Sequence, residues 1–504
     1  MNLWKFHGGV HPNGHKNLSN QTNIIDAPIP RFLVLPLLQH IGEPTEPIVR
    51  VGEKVLKGQI IAHCHAEDCS LMMSAPVHAS SSGTVVAIEK RNVPHPSGLM
   101  ATCIVIETDG KDEKIGNCQP IPNYLEHDPS RIRRRIARAG IVGLGGAGFP
   151  SHFKLKPEGI DTLILNGAEC EPYITCDDRL MQEKSADIIE GALILKHVLG
   201  GAKHCIIAVE DNKPEAYQSL CEATANEEGI EVKQVPTRYP TGGERQLIQV
   251  LTGKEIGRSE LPAQHGIVMH NVETARAVYR AVIEGRPLLS RIVTVTGSGV
   301  EQPQNFEVML GSPMSSVIEQ CGLKPNAGRL IMGGAMMGMA LPNADLPVVK
   351  TTNCLLVSTE DDVESNTNPM PCIRCGACAE ACPINLLPQQ LYWYAHSKDF
   401  TKIQDYNLFD CIDCGCCSYV CPSQIPLVSY FRYAKSEVRT LQSDKQKADI
   451  ARQRHEFREF RVQREKEEKA ARHKKKAQAA NKKNAISEAV ERAKAKKQTA
   501  EKVD

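Results

Sequence analysis

Between about Asp128 and Arg286, short apolar runs alternate with longer stretches in which apolar positions recur every three or four residues. The short runs Thr162–Leu165, Cys205–Val209 and Ile267–His270 are the length of buried strands. The longer ones read as helices: Ser185–Leu199, stopped by Gly200-Gly201, and Val272–Glu284, stopped by Gly285. Strand–helix alternation predicts a parallel sheet covered by helices, a Rossmann-like α/β domain over about residues 126–288. Upstream, Val51–Ala62 and Ser74–Ile88 carry short strands punctuated by glycine. They predict a small β domain over residues 1–125. After Phe460 the apolar positions nearly vanish, and residues 437–504 predict a solvated tail, helical in part or disordered.

The pattern is multidomain, and 504 residues allow several domains. Net charge is +1, but from Lys435 onward there are 22 Lys and Arg against 12 Asp and Glu. That segment is therefore +10 and the rest of the chain −9. A basic tail suits an anionic lipid surface or an acidic partner as well as plain solvation. Nucleic acid is not expected, because no aromatic platform accompanies the charge. Met1–Gly9 lacks the apolar core of a signal peptide, and no run approaches the ~18 apolar residues of a membrane span. The expectation is a reducing compartment, in which 19 cysteines serve metal rather than disulfides.

The cysteines carry the strongest signal. Cys372, Cys375, Cys378 and Cys382 precede Pro383; Cys411, Cys414, Cys417 and Cys421 precede Pro422. Both copies read C-x2-C-x2-C-x3-C-P, the spacing of two-cluster ferredoxins. Three closely spaced thiolates wrap one [4Fe-4S] cube, and the fourth ligates the other. Cys372, Cys375, Cys378 and Cys421 are expected to hold one cluster, and Cys411, Cys414, Cys417 and Cys382 the second. Zinc also binds C-x2-C pairs, but two full copies with terminal prolines favour clusters. Cys416 replaces Ala377 of the first copy and reads either as a buried bystander or as a substitute for a neighbouring ligand. The insert Ile384–Asp410 contains a helical stretch around Gln389–Ala395, so residues 360–436 predict a helical ferredoxin module.

Two His/Cys groups could also bind metal: His7, His11 and His15, and His63, Cys64, His65 and Cys69. On a strand, His63 and His65 would face away from Cys64, which spoils a three-ligand site. The His7–His15 segment is expected to pack against another domain instead.

Gly143, Gly145, Gly146 and Gly148 match G-x-G-x-x-G, but the stretch before them, Ser130–Ala139, reads as a basic helix rather than a strand. The glycines nevertheless let backbone N–H groups close on a phosphate or a planar ring. Asn166-Gly167-Ala168-Glu169-Cys170-Glu171-Pro172 follows a strand directly, where α/β sheets bind ligands. Glu244 sits in Tyr239-Pro240-Thr241-Gly242-Gly243-Glu244 and reads as a helix N-terminal residue.

Taken together, Gly143–Pro150 with Lys154, Asn166–Pro172 and His270–Thr274 resemble the NADH- and FMN-binding subunit of respiratory complex I. Val293–Gly322 resembles that subunit's soluble-ligand-binding β-grasp domain, giving residues 289–350. Val51–Ile88 resembles biotinyl and lipoyl carriers, yet Ser70–Ser74 offers no lysine at the hairpin tip. The domain order through about residue 440 resembles the RnfC family, the C subunits of the bacterial Rnf (Rsx) ion-translocating oxidoreductase complex.

That resemblance implies a peripheral subunit on the cytoplasmic face of the inner membrane. It implies docking to the other subunits of the complex and passing electrons between NADH and a ferredoxin-like subunit. It further implies that Gly143, Gly145, Gly146 and Gly148 cradle FMN. Lys154 and Asn166 would hold its phosphate or ring oxygens, and Glu169 and Glu171 would contact flavin or NADH. No catalytic acid or base is expected, since hydride transfer needs none. The alternatives are an electron wire with clusters and no NADH chemistry, and a docking scaffold.

Overall fold

The computed structural model describes residues 3–64, 72–116, 119–156, 158–359, 362 and 368–500. The chain forms two units, Met1–Phe431 and Arg432–Asp504.

At the N-terminal end of the first unit, the strands Phe32–Pro36, Met100–Thr108, Gly83–Asn92 and Lys54–Val55 form an antiparallel sheet. It accompanies a three-stranded sheet of Glu46–Pro47, Ile60–His63 and Val77–His78. Leu33, Leu35, Val55, Ile61, Val85 and Ile104 fill the space within, a barrel-sandwich arrangement. Ser70 and Leu71 of the carrier-like tip, and His65 and Cys69, lie outside the described residues. His63 turns its Nδ1 to the Cys64 carbonyl at 2.7 Å.

The central domain is a four-stranded parallel sheet in the order Ile230–Val235, His204–Glu210, Thr162–Gly167, Ile267–Asn271. Strand alternation divides its side chains between two cores. Leu163 and Leu165 pack with the helices Ser185–Val198 and Val272–Val282, while Ile164 packs with the helix Glu244–Thr252. Three strands and two helices fall where the apolar pattern places them. The strand Ile230–Val235 escapes it, because as an edge strand it interleaves Glu231, Lys233 and Gln234 with its apolar residues.

The β-grasp sheet has six strands, and its order is not the chain order. Cys354–Thr359 lies beyond the expected boundary at 350, yet it takes an interior place between Ser290–Thr296 and Ala327–Met332. Ile25–Asp26, from the N-terminal segment, adds in parallel to Gln304–Met309 at one edge.

The cysteine module is helical as expected, with Pro388–His396 as the longest of its short helices. The second unit continues the helix Leu427–Ala500. Its Ala, Lys, Glu and Arg content sustains a helix whose side chains are exposed from residue 439 almost throughout. Pairs such as Arg461–Glu465 and Arg464–Glu468 stand one turn apart, at 3.8 and 3.6 Å. The tail is thus helical through residue 500, the first of the two forms expected.

Candidate functional site

The glycine loop follows a basic helix, Pro129–Arg138, capped by Asp128, whose side chain accepts from the Ser130 N–H. No strand leads from that helix into the loop; Val142 makes a single bridge to Pro150. The loop closes on itself through Gly143 N–H to the Phe149 carbonyl (2.7 Å) and Gly148 N–H to the Gly143 carbonyl (3.0 Å). Gly146 and Gly148 have φ of +95° and +62°, the region that glycine enters at no steric cost. The Leu144 N–H donates to the Thr274 hydroxyl at 3.0 Å, and Arg291 donates to the Leu144 carbonyl at 2.8 Å. A Cβ on Gly145 would stand 3.3 Å from Asn271. These contacts set the loop at the carboxyl end of the strand Ile267–Asn271, where such sheets bind ligands. Gly145, Gly146 and Ala147 are exposed, and nothing lies within 4 Å of where a Cβ on Gly146 would be.

Asn166 is the penultimate residue of the neighbouring strand, Thr162–Gly167. Its Nδ2 donates to the Gly242 carbonyl at 2.8 Å, and its Oδ1 accepts from the Ala168 N–H at 3.0 Å. Lys154 pairs with Glu244 at 2.6 Å, and Glu244 opens its helix as expected. Glu169 is buried. Its Oε1 accepts from the Asp177 N–H, while its Oε2 has no hydrogen-bond partner and stands 4.0 Å from Lys16 Nζ. Burial raises the Glu169 carboxyl, and burial with the neighbouring Glu169 and Glu273 charges raises Asp177 to about 8.

Glu171 takes a different course. Its Oε1 accepts from the N–H groups of Met336 and Met337 at 2.6 and 2.9 Å, in the β-grasp loop Gly333–Gly338. Its carboxylate is engaged by backbone there, a structural role the sequence did not indicate.

Three residues without an expected role join the site. Asn271 Nδ2 donates to Asp177 at 2.6 Å and reaches the Asn166 carbonyl at 3.4 Å. Thr274 anchors the glycine loop. Lys16 donates to the carbonyls of Glu169, Glu171 and Ile174. Asn271 and Thr274 lie within His270–Thr274, so a signal was present. Lys16 gave none.

The open glycine backbone, the exposed loop face, the half-exposed Lys154 ammonium and the unpartnered Glu169 oxygen together fit FMN, which presents a phosphate, hydroxyls and a ring edge.

The cysteines converge in two cradles. Cys382, Cys411, Cys414 and Cys417 line one cavity; Cys372, Cys375, Cys378 and Cys421 line the other. The two halves repeat each other in backbone as well as sequence. Arg374 and Asp413 have φ of +58° and +56°, Gly376 and Gly415 +84° and +83°, Asn385 and Gln424 +53° and +51°. Equivalent left-handed steps turn each run back on its cradle. Cys416 is fully buried, lines the first cavity beside Cys414 and Cys417, and packs with Val10, Tyr239 and Ala381.

The N-terminal segment straps these parts together. His7 bonds the Cys382 carbonyl (3.0 Å), His11 the Thr237 carbonyl (3.1 Å), and His15 stacks on Tyr173 with ring centroids 4.5 Å apart. Val10 pairs with Tyr239. The three histidines thus part to different neighbours.

Fold and cradles define a chain with a flavin-type α/β domain and a ferredoxin-type module of two four-cysteine runs. Family models match as follows: an RnfC barrel sandwich hybrid domain over 4–111, a Nuo51 FMN-binding domain over 136–280, an SLBB domain over 292–340 and a 4Fe-4S dicluster domain over 371–425. The chain is 44% identical over 513 residues to the C subunit of the ion-translocating oxidoreductase complex of Vibrio cholerae, covering 100% of this chain and 65% of the relative. It is 45% identical over 475 residues to the same subunit of Yersinia pestis, covering 94% and 75%. The chain therefore belongs to the family of C subunits of the ion-translocating oxidoreductase complex, and spans 65% of the length of the Vibrio relative. Among solved structures, a NAD+-reducing [NiFe]-hydrogenase in the air-oxidized state aligns with 57% of each chain at 20% identity and TM-score 0.43, too slight a likeness to carry function.

Proposed function

We propose that this chain is the peripheral subunit of a membrane-bound complex, on the cytoplasmic face of the bacterial inner membrane, that couples electron transfer between NADH and a ferredoxin-like subunit to ion translocation. Bound FMN supplies the exchange between hydride and single electrons. Gly143, Gly145, Gly146 and Gly148 offer backbone to it, with Lys154, Asn166 and Glu169 around the same end of the sheet. Glu171 acts behind the site, holding the acidic loop to the β-grasp loop. Cys382, Cys411, Cys414 and Cys417 hold one [4Fe-4S] cluster, and Cys372, Cys375, Cys378 and Cys421 the other. No helix is long and apolar enough to cross a membrane among the described residues, which accords with a peripheral role.

One observation supports the reading. The acidic loop of the flavin-type domain is linked to the cysteine module, since Glu171 accepts from the Met336 N–H, and Met336 packs against the group of Cys414, Cys416 and Tyr239. The test is the absorbance of the purified chain. Broad cluster absorption with a flavin band, both bleached by NADH, is expected. Clusters without flavin and without NADH bleaching would leave only an electron wire.

A further inference from the structure

Tyr239 is among the largest fully buried side chains of the molecule. Its backbone N–H and carbonyl both pair with Val10, at 2.9 and 2.8 Å, so the residue is fixed from behind. Its hydroxyl donates to the backbone carbonyl of Cys414 at 2.7 Å. The other hydrogen-bonding group beside it is the Glu171 carboxylate. Three residues further along the same loop, Gly242 accepts from Asn166 Nδ2 at 2.8 Å and donates its N–H to Cys170 Sγ at 3.2 Å. A single loop, Tyr239–Gly242, therefore ends on the strand terminus of the flavin side and on a cysteine of the cluster side.

The buried hydroxyl points the positive end of its dipole at the peptide that carries the Cys414 thiolate. In a site closed to water, that dipole is weakly screened. It stabilises the negative charge the cluster gains on reduction more than a bare apolar wall would, and so favours the reduced form. Hydrogen bonds and solvent access around the ligands are what set cluster potentials. The other cradle is more open: it is lined by Tyr392, a partly exposed aromatic close to Cys372, and its Cys375 is exposed.

We propose that Tyr239 is a positioning residue for the cluster of Cys382, Cys411, Cys414 and Cys417, holding that cluster's potential up through the Cys414 carbonyl. The proposal rests on the cluster assignment above but not on NADH as donor.

The test is a mediator-poised redox titration of the full chain, followed by EPR, with dithionite rather than NADH as reductant. Tyr239→Phe is expected to lower the midpoint of one cluster and leave the other unchanged, at undiminished iron per chain. A Cys375→Ser background, which alters the other cluster's signal, identifies which midpoint moved. If Tyr239→Phe loses iron, a ring-fluorinated tyrosine at the same position keeps the packing and strengthens the donor; it should raise the same midpoint. Unmoved midpoints, a shift in the Cys372 cluster, or shifts of the same sign in both variants would overturn the proposal. Loss of NADH bleaching with these shifts intact would count against the proposed electron donor and leave Tyr239's role standing.

Discussion

Lys16 reaches the backbone carbonyl of Glu169 at 2.7 Å, across 153 residues of chain, and bonds the Glu171 and Ile174 carbonyls with its remaining protons. One ammonium thus gathers the whole acidic loop. Burial and the nearby Lys213 charge lower its pKa, while Glu169 and Glu210 offset part of that cost. Lys16→Met keeps the aliphatic stem and removes three donors. Unfolding free energy should fall by about 2–4 kcal/mol, since buried carbonyls are left unpaired. Flavin content should fall with it. A chemical denaturation series on the two proteins checks the first, and absorbance after gel filtration the second.

Gly145→Leu places a side chain where a Cβ already stands 3.3 Å from Asn271. The variant should lose flavin and keep its iron, because the cradles of the cysteines lie elsewhere. Iron assay and flavin absorbance on the same sample decide it, and NADH bleaching that survives would place the flavin away from this loop.

The exchange of the fourth cysteine is testable by single substitutions. Cys382→Ser should disturb the cluster of Cys411, Cys414 and Cys417, and Cys421→Ser that of Cys372, Cys375 and Cys378, because the cavities group them so. EPR of the two variants should show opposite signals lost. Loss of the local cluster in each case would mean that each run ligates its own.

His78 and Lys350 lie against Gly140, where the barrel-sandwich and central domains meet; Lys350 donates to the carbonyls of Pro76 and Gly140 at 2.9 and 2.8 Å. Burial, helped by the Lys350 charge, lowers His78 to about 3. Between that value and the ordinary histidine value of 6.5, the unfolded chain binds a proton that the folded chain refuses. Stability is therefore present above pH 6.5 and falls as pH drops through this window, by at most about 1.4 kcal/mol per pH unit. Thermal midpoints of the holoprotein from pH 7.5 to about 5.5 should fall less steeply in His78→Gln than in the parent chain.

Much of the site was legible because its signals are local. Cysteine spacing is a property of one tight turn, so the expected ligand sets could be written from Cys372–Cys421 alone, and the two cavities group the same cysteines. The strand ends carrying Asn166 and Asn271 follow from apolar runs with sharp stops. Glu171 was not legible. Its partners, the Met336 and Met337 N–H groups, belong to a loop 165 residues on, and nothing in Glu-Pro distinguishes a carboxylate turned to backbone from one turned to a ligand.

By itself, the sequence determined most strand, helix and cluster-loop segments, since periodicity and residue spacing act within a few residues; the edge strand Ile230–Val235 escaped it. It also determined that no long strand leads into the glycine run. Only the tertiary structure decided that Lys16 completes the acidic loop, that Cys354–Thr359 lies inside the β-grasp sheet, and that Tyr239 stands between Glu171 and Cys414. Those contacts join residues far apart in the chain. What fixes them is the cost of leaving buried donors and acceptors without partners once the domains have closed on one another.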